Sequence, residues 1–183
     1  MTVKSNLSTV NNSSIYSEIS TKETISEAIS DILNEIVNDE EYQNENNAND
    51  KQNDIFSGVR IPSISIFDFL MRIIKYTNLE KSTLIIGLIY LDRFTENYKL
   101  NKWNLHRLLF TSLVIAIKYN EDDSFENNYY SKVCGISHQE LYTLEVAFVD
   151  EVDFDLFVTN EVFEKYEDYL QDYLQQLKKL KVD

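Results

Sequence analysis

The chain alternates between polar stretches with almost nothing to bury and stretches in which apolar residues recur every three or four positions. Apolar residues at that spacing lie on one face of an α-helix. From residue 61 onward the pattern predicts five helices, over about 61–78, 82–97, 103–120, 125–134 and 137–151. The second and third are apolar on most sides, which is typical of helices surrounded by other helices.

Local signals place the ends of these helices. Asn101 is predicted to cap the third helix, Gly135 to end the fourth, and the capping box Ser137–Glu140 to open the fifth. Gly87 lies inside the second helix, where glycine costs about 1 kcal/mol relative to alanine, so we expect a neighbouring helix to approach closely there. We predict that the first helix buries Ile64, Phe67, Met71 and Ile74, broadened by Phe69, Leu70 and Ile73. The stripe predicted for the fifth is Leu141, Leu144, Phe148 and Val152.

Further helices are predicted on both sides of this group. A capping box at Ser20–Glu23 opens a helix over residues 20–38, with a stripe of Ile25, Ile29, Ile32, Leu33 and Ile36. Thr159 is placed to cap a last helix over residues 159–183, with Val162, Tyr166, Tyr169, Tyr173 and Leu177 on one side. Residues 1–19 have a disordered composition and residues 39–60 read as an acidic linker, which leaves 61–158 as the central domain. With three glycines and one proline in 183 residues, we expect an all-α fold.

The overall charge and the cysteine content restrict the classes of partner. A net charge of −14 is unfavourable for nucleic-acid binding, which depends on Lys and Arg, and suits a basic protein partner. Cys134 is the only cysteine, so the natural interpretation is a reducing location inside the cell, nucleus or cytoplasm. The amino-terminus lacks the apolar segment of a signal peptide, and no apolar run reaches the roughly 18–20 residues that span a bilayer. We therefore expect no membrane partner.

Residues with the potential for catalysis are few. The three scattered glycines form no phosphate-binding loop, and His106 and His138 do not have the spacing of metal ligands. Cys134 has no evident base and is interpreted as a half-buried packing residue. We therefore predict a protein that is not an enzyme, with no cofactor, no metal and no small-molecule substrate.

Two isolated charges interrupt apolar surroundings and have two interpretations. Lys118 closes the third helix, where a cation complements the helix dipole. Glu145 stands between Leu144 and Val146 in the fifth and could belong to a solvated face. On the residues alone the ordinary structural interpretation is favoured for both, and Asp92-Arg93 is read as an ordinary helix end.

Four segments in order carry a resemblance to a known family. They are LIYLDRF (88–94), HRLLFTSLVIAIKYNED (106–122), NNYYSKVCGIS (127–137) and ELYTLEVAFVDEVDFDL (140–156). Together they resemble the cyclin box, and the segments PSISIFDFLMRIIKYT and NNYYSKVCGIS resemble its phosphate-signalling branch, the P-type or U-type cyclins. The resemblance covers about residues 61–170.

The resemblance implies a function in kinase regulation, in phosphate signalling or the cell cycle. Cyclins bind a cyclin-dependent kinase, pack on its αC (PSTAIRE-type) helix and thereby activate it. The family's lysine and glutamate that contact the kinase match Lys118 and Glu145, which reverses the preference stated above. Asp92 and Arg93 match structural positions of the box. The arginine that usually pairs with the aspartate is absent, so Arg60, Arg72 or another group is expected to replace it.

The acidic residues after Lys118 also allow two interpretations. They form a solvated loop, or Asp122 and Asp123 contact the activation segment of the kinase in place of a phosphate. For the whole chain, two alternatives to a kinase regulator stay open. One is a cyclin-fold transcription factor, which the net charge of −14 disfavours, and the other is a helical adaptor with no kinase partner.

Overall fold

A computed structural model describes residues 21–39 and 55–180 of the chain, and these residues form helices and connecting segments without a strand. The helices are α1 (Lys22–Asn38), α2 (Ile66–Thr77), α3 (Lys81–Thr95), α4 (Leu105–Asn120), α5 (Asn127–Cys134), α6 (His138–Glu151) and α7 (Asn160–Leu180). The five predicted central helices are α2–α6, and the all-α prediction is confirmed. The predicted disordered segment 1–19, Ser20 and most of the predicted linker lie outside the described residues.

Helices α3 and α4 form the centre of the bundle, as their all-round apolar character predicts. Every residue from 108 to 117 of α4 is buried, and the contact between α3 and α4 is the most extensive in the fold. Helix α4 approaches α3 closely at Gly87, because a Cβ atom there would lie 2.5 Å from Cδ2 of Leu113. The expectation that a neighbouring helix crowds Gly87 is therefore confirmed.

The buried face of α2 differs from the predicted one. Its buried residues are Ile66, Phe69, Leu70, Ile73 and Thr77. The four residues named as its principal stripe, Ile64, Phe67, Met71 and Ile74, are only partly buried. Because α2 packs against α1, α4 and α5, its most buried face is the neighbouring one that carries Phe69, Leu70 and Ile73. Periodicity alone does not tell which of two neighbouring apolar faces is buried more deeply.

Several predicted helix ends are confirmed, and others are shifted by a few residues, among them the start of α2, which was predicted near 61. The Ser137 hydroxyl accepts a hydrogen bond from the Glu140 amide at 3.0 Å, and Gly135 ends α5 in the left-handed region at φ 82°. Helix α4 begins after Asn104, whereas Asn101 caps the turn before it by accepting from the Trp103 amide at 2.8 Å. Helix α1 is capped by Thr21, one residue after the predicted Ser20.

The two flanking helices pack on the bundle. Helix α1 contacts α2, α3 and α7 and buries Ile25, Ala28, Ile29, Leu33 and Val37. Thr159 caps α7 by accepting from the Val162 amide at 3.3 Å, as predicted. The buried residues of α7 are Leu170 and Leu174, whereas Tyr169, on the side that the sequence pattern named, is 55% exposed.

The end of the predicted linker also belongs to the packed structure. Phe56 is 3% exposed, and its ring lies 5.1 Å from that of Phe94 on α3. The Gly58 amide donates to the carbonyl oxygen of Trp103 at 2.9 Å. The expectation that this stretch has almost nothing to bury is wrong at Phe56, because one aromatic residue is enough to anchor it.

Candidate protein-interaction site

Lys118 and Glu145, which are 27 positions apart in sequence, form an ion pair between α4 and α6. Lys118 lies in the last turn of α4 and Glu145 in the middle of α6, and Nζ of Lys118 lies 2.5 Å from Oε1 of Glu145. The lysine side chain is 32% exposed and the glutamate side chain 12%. The fold therefore brings together two charged residues that the sequence analysis identified separately.

Asn127 joins this pair from a third helix. It is the first residue of α5, where its Oδ1 accepts a hydrogen bond from Nζ of Lys118 and its Nδ2 donates to Oε2 of Glu145. Sequence reasoning did not identify Asn127. The only signal for it was its position in the NNYYSKVCGIS segment, which was used to recognise a family and not to place side chains.

Exposed apolar side chains lie close to the ion-pair residues along α4, α6 and the loop before α5. Tyr119 follows Lys118 and is 54% exposed, and Phe125, in the loop before α5, is 47% exposed. On α6, Tyr142 and Val146 are 55% and 52% exposed and lie four residues apart on one helical face, and Tyr142 lies one turn before Glu145. Several exposed apolar side chains beside a charged pair indicate a candidate protein-binding surface, because exposed apolar patches bordered by polar groups mark interaction sites.

The segment after α6 extends the apolar surface and is held in a fixed shape. Phe154 and Phe157 are 71% and 68% exposed. Asp153 and Phe154 both have positive φ values, 50° and 58°, a conformation that non-glycine residues seldom adopt and that clusters at functional sites. The Phe154 amide donates to the carbonyl oxygen of Val149 at 3.0 Å, which keeps this segment against the end of α6.

Three consecutive carbonyl groups of this segment accept hydrogen bonds from side chains of α3. Arg93 donates to the carbonyl oxygens of Asp155 at 2.6 Å and Phe157 at 3.0 Å, and Tyr90 donates to that of Leu156 at 2.6 Å. Arg93 also lies 3.5 Å from the Asp155 carboxylate. Arg93 thus has an identifiable structural task, which is to hold the segment that exposes the two phenylalanines.

Asp92 contacts the last helix of the chain. Its carboxylate accepts a hydrogen bond from the hydroxyl of Tyr166 on α7. Within the described residues, neither Arg60 nor Arg72 forms an ion pair with it. Burial together with the hydrogen bond to Asp92 raises the pKa of Tyr166 far above its ordinary range, so Tyr166 stays a neutral donor.

The acidic loop after α4 divides into a structural and an exposed part. The Glu121 carboxylate accepts from the backbone amide of Glu80 at 2.9 Å and so ties the loop to the start of α3. Asp122 and Asp123 are exposed beyond it. The structure therefore places Asp122 and Asp123 beside the Lys118 end of α4 without engaging them in the ion pair.

The remaining reactive side chains serve packing. Burial raises the pKa of the Cys134 thiol to about 12, which makes it unreactive as a nucleophile at neutral pH. Nε2 of His106 donates a hydrogen bond to the carbonyl oxygen of Ile64 at 3.0 Å, and burial lowers the pKa of this ring. Across residues 21–39 and 55–180 there is no cluster of metal-binding side chains, and no helix there is both long and apolar enough to cross a bilayer.

The chain is similar to a known family over most of its length. The family model described as Cyclin matches residues 7–156. Cyclin-U4-3 of Arabidopsis thaliana is 40% identical over 141 residues, which are 75% of this chain and 64% of that protein. Cyclin-U4-1 of Arabidopsis thaliana is 42% identical over 120 residues, 64% of this chain and 59% of its own length. Cyclin-P4-1 of Oryza sativa subsp. japonica is 39% identical over 127 residues, 66% and 60% respectively.

The chain belongs to the cyclin family. Its relatives carry U-type and P-type names, which places it in the U/P branch and confirms the resemblance stated from its motifs. The chain spans about 60% of the length of these curated relatives. Family membership supports a regulatory role, and it does not by itself identify a partner.

Proposed function

We propose that this protein is a regulatory cyclin subunit that binds a cyclin-dependent kinase and activates it by packing on the kinase αC helix. The observation that carries the proposal is the ion pair of Lys118 and Glu145, which is held between three helices and has exposed apolar side chains next to it along the chain. Membership of the cyclin family supports the same conclusion.

The two charges offer complementary hydrogen-bonding groups to the backbone of the kinase. Lys118 has three donors, of which one contacts Glu145 and one Asn127. The third donor is directed to a carbonyl group beside αC, and the open lone pairs of the Glu145 carboxylate accept backbone amides. Such charge-assisted bonds become stronger when the partner excludes water. Tyr119, Val146 and Phe154 contribute most of the buried apolar area.

Activation follows from selective binding of one kinase conformation. The αC helix has an inward position in which its glutamate pairs with the lysine that orients ATP, and an outward position in which the pair is broken. A protein that binds the inward position more tightly shifts the equilibrium toward it by its difference in affinity for the two states. No catalytic group from the cyclin is required, and Asp92 and Arg93 act only by maintaining the surface.

Asp122 and Asp123 are proposed to add a second contact. They are exposed and next to the kinase-facing end of α4, so either carboxylate can pair with a basic residue of the activation segment in place of a phosphate. Asp122→Asn together with Asp123→Asn is then expected to lower the activity of the complex while complex formation persists. Unchanged kinase activity would remove this part of the proposal.

The proposal is tested by affinity capture with a matched charge reversal. Lys118→Glu with Glu145→Lys keeps an intrachain ion pair but reverses its polarity toward a partner, so capture of an intact kinase from cell extract should be lost. The control is Lys81→Glu with Glu167→Lys, which reverses an ion pair of 2.7 Å between α3 and α7. Capture of the same kinase at wild-type yield by the Lys118/Glu145 variant contradicts the proposed function.

A further inference from the structure

Asn127, Lys118 and Glu145 form a closed ring of three polar contacts. Lys118 donates to Glu145 and to Asn127, and Asn127 donates to the second oxygen of Glu145. The three side chains come from α4, α5 and α6, so the ring fixes three helices relative to one another. Each polar group faces one of complementary chemistry.

The side-chain amide of Asn127 is required in both of its roles. Its oxygen accepts from an ammonium and its nitrogen donates to a carboxylate, and an aspartate or alanine at this position cannot do both. The Glu145 side chain is only 12% exposed, and a largely buried carboxylate is costly unless more than one donor satisfies it. The Lys118 ammonium lies at the end of a flexible chain, which loses rotamer entropy when a partner immobilises it.

We propose that Asn127 is a positioning residue that fixes the head groups of Lys118 and Glu145 for binding of the kinase. The inference rests on the proposed function and deepens it. Asn127 lowers the entropic cost of docking by immobilising both charges before the partner arrives. It leaves one ammonium donor and the remaining carboxylate lone pairs for the partner.

A purely local role for Asn127 makes a different prediction. As the first residue of α5, Asn127 lies where a negative side chain stabilises a helix through its dipole. If that were its role, Asn127→Asp would stabilise the fold and preserve binding. In the ring, an aspartate at position 127 faces the Glu145 carboxylate, so the same substitution weakens binding more than Asn127→Ala does.

The experiment measures kinase affinity with the full chain and the variants Asn127→Ala, Asn127→Asp and Asn128→Ala. Asn128 is the exposed neighbour in the same helix and serves as the matched control. The probe is the purified cyclin-dependent kinase that co-purifies with the wild-type chain. We expect Asn127→Ala to weaken binding about fivefold and Asn127→Asp more than about tenfold, with Asn128→Ala near wild type.

Two further readouts separate the possible failures. In the absence of any partner, the side-chain amide protons of Asn127 should exchange with solvent more slowly than those of Asn128 in NMR spectra, and equal rates overturn the ring. Binding by Asn127→Ala that equals or exceeds that of Asn128→Ala overturns the positioning role. The Lys118/Glu145 charge reversal is measured in the same assay. If the reversal abolishes kinase binding but Asn127→Ala does not weaken it, only the role of Asn127 is wrong. If the reversal itself has no effect, the proposed function is wrong.

Discussion

The hydroxyl of Tyr166 on the last helix donates a hydrogen bond to the carboxylate of Asp92 at the end of α3. The two residues are 74 positions apart, and their contact joins α7 to the helix that also carries Tyr90 and Arg93. Because those two side chains hold the segment after α6, α7 is part of the framework of the candidate interaction surface.

Tyr166→Phe removes only the hydroxyl that contacts Asp92. We expect the free energy of unfolding to fall by about 1 kcal/mol, because a hydrogen bond to a charged group is lost while the carboxylate remains partly hydrated. Urea unfolding measures the change. Tyr169→Phe on the exposed side of the same helix is the control and should leave stability unaltered. Equal stabilities of the Tyr166 variant and the wild type would show that the contact contributes nothing.

Gly87→Ala tests the close approach of α3 and α4. Alanine improves helix propensity by about 1 kcal/mol, but the added Cβ would lie 2.5 Å from the side chain of buried Leu113. We expect the steric term to dominate and the variant to be less stable by about 1–3 kcal/mol. Leu113→Ala opens the space, so in urea unfolding the double variant should lose less stability than the two single variants added together. A neutral or stabilising effect of Gly87→Ala would contradict the packing.

How far the sequence predicts the structure depends on whether the signal is local. The central position of α4 and the crowding at Gly87 were predictable. A helix that is apolar on all sides must be buried among other helices, and a glycine inside a helix costs stability unless close packing requires it. The end of α5 follows from Gly135 and the start of α6 from Ser137, because each residue acts within its own turn. The existence of a cyclin box followed from four motifs in order.

The missed features depend on distant partners. The buried stripe of α2 could not be chosen because apolar residues occupy two adjacent faces, and only the positions of α1, α4 and α5 decide between them. Phe56 was assigned to a polar linker because nothing local indicates its contact with the ring of Phe94. Asn127 and Tyr166 carry no periodic signal, since each is an ordinary polar residue whose partner lies on another helix.

His106 should make stability depend on pH. Burial lowers its pKa below the ordinary value of 6.5, so as the pH falls the unfolded chain binds a proton before the folded one does. The contribution of His106 to the free energy of unfolding is therefore present above pH 6.5 and is lost as the pH falls below it, by at most about 1.4 kcal/mol per pH unit. His106→Gln does not titrate and can still donate to the carbonyl oxygen of Ile64.

Urea unfolding at pH 7.5 and pH 5.5 isolates this contribution. The stability advantage of the wild type over His106→Gln should shrink at the lower pH, and other titrating groups cancel in the difference. An NMR titration of the His106 ring in the folded protein gives its pKa directly. A wild-type advantage that is the same at both pH values would mean that the ring titrates alike in the folded and unfolded chains.

Arg93→Lys should loosen the segment that exposes Phe154 and Phe157. The guanidinium group donates to two carbonyl oxygens at once from a planar fork, whereas a lysine ammonium at the same position cannot reproduce that geometry. Chymotrypsin cleaves after exposed aromatic residues when the backbone can open, so we expect cleavage after Phe154 and Phe157 to accelerate by about tenfold. Mass spectrometry of timed digests identifies the cut sites. Arg72→Lys on the exposed side of α2 is the matched control and should be cleaved at the wild-type rate. If Arg93→Lys is cleaved no faster than this control, the hydrogen bond from Tyr90 to Leu156 is sufficient to hold the segment and the role assigned to Arg93 is wrong.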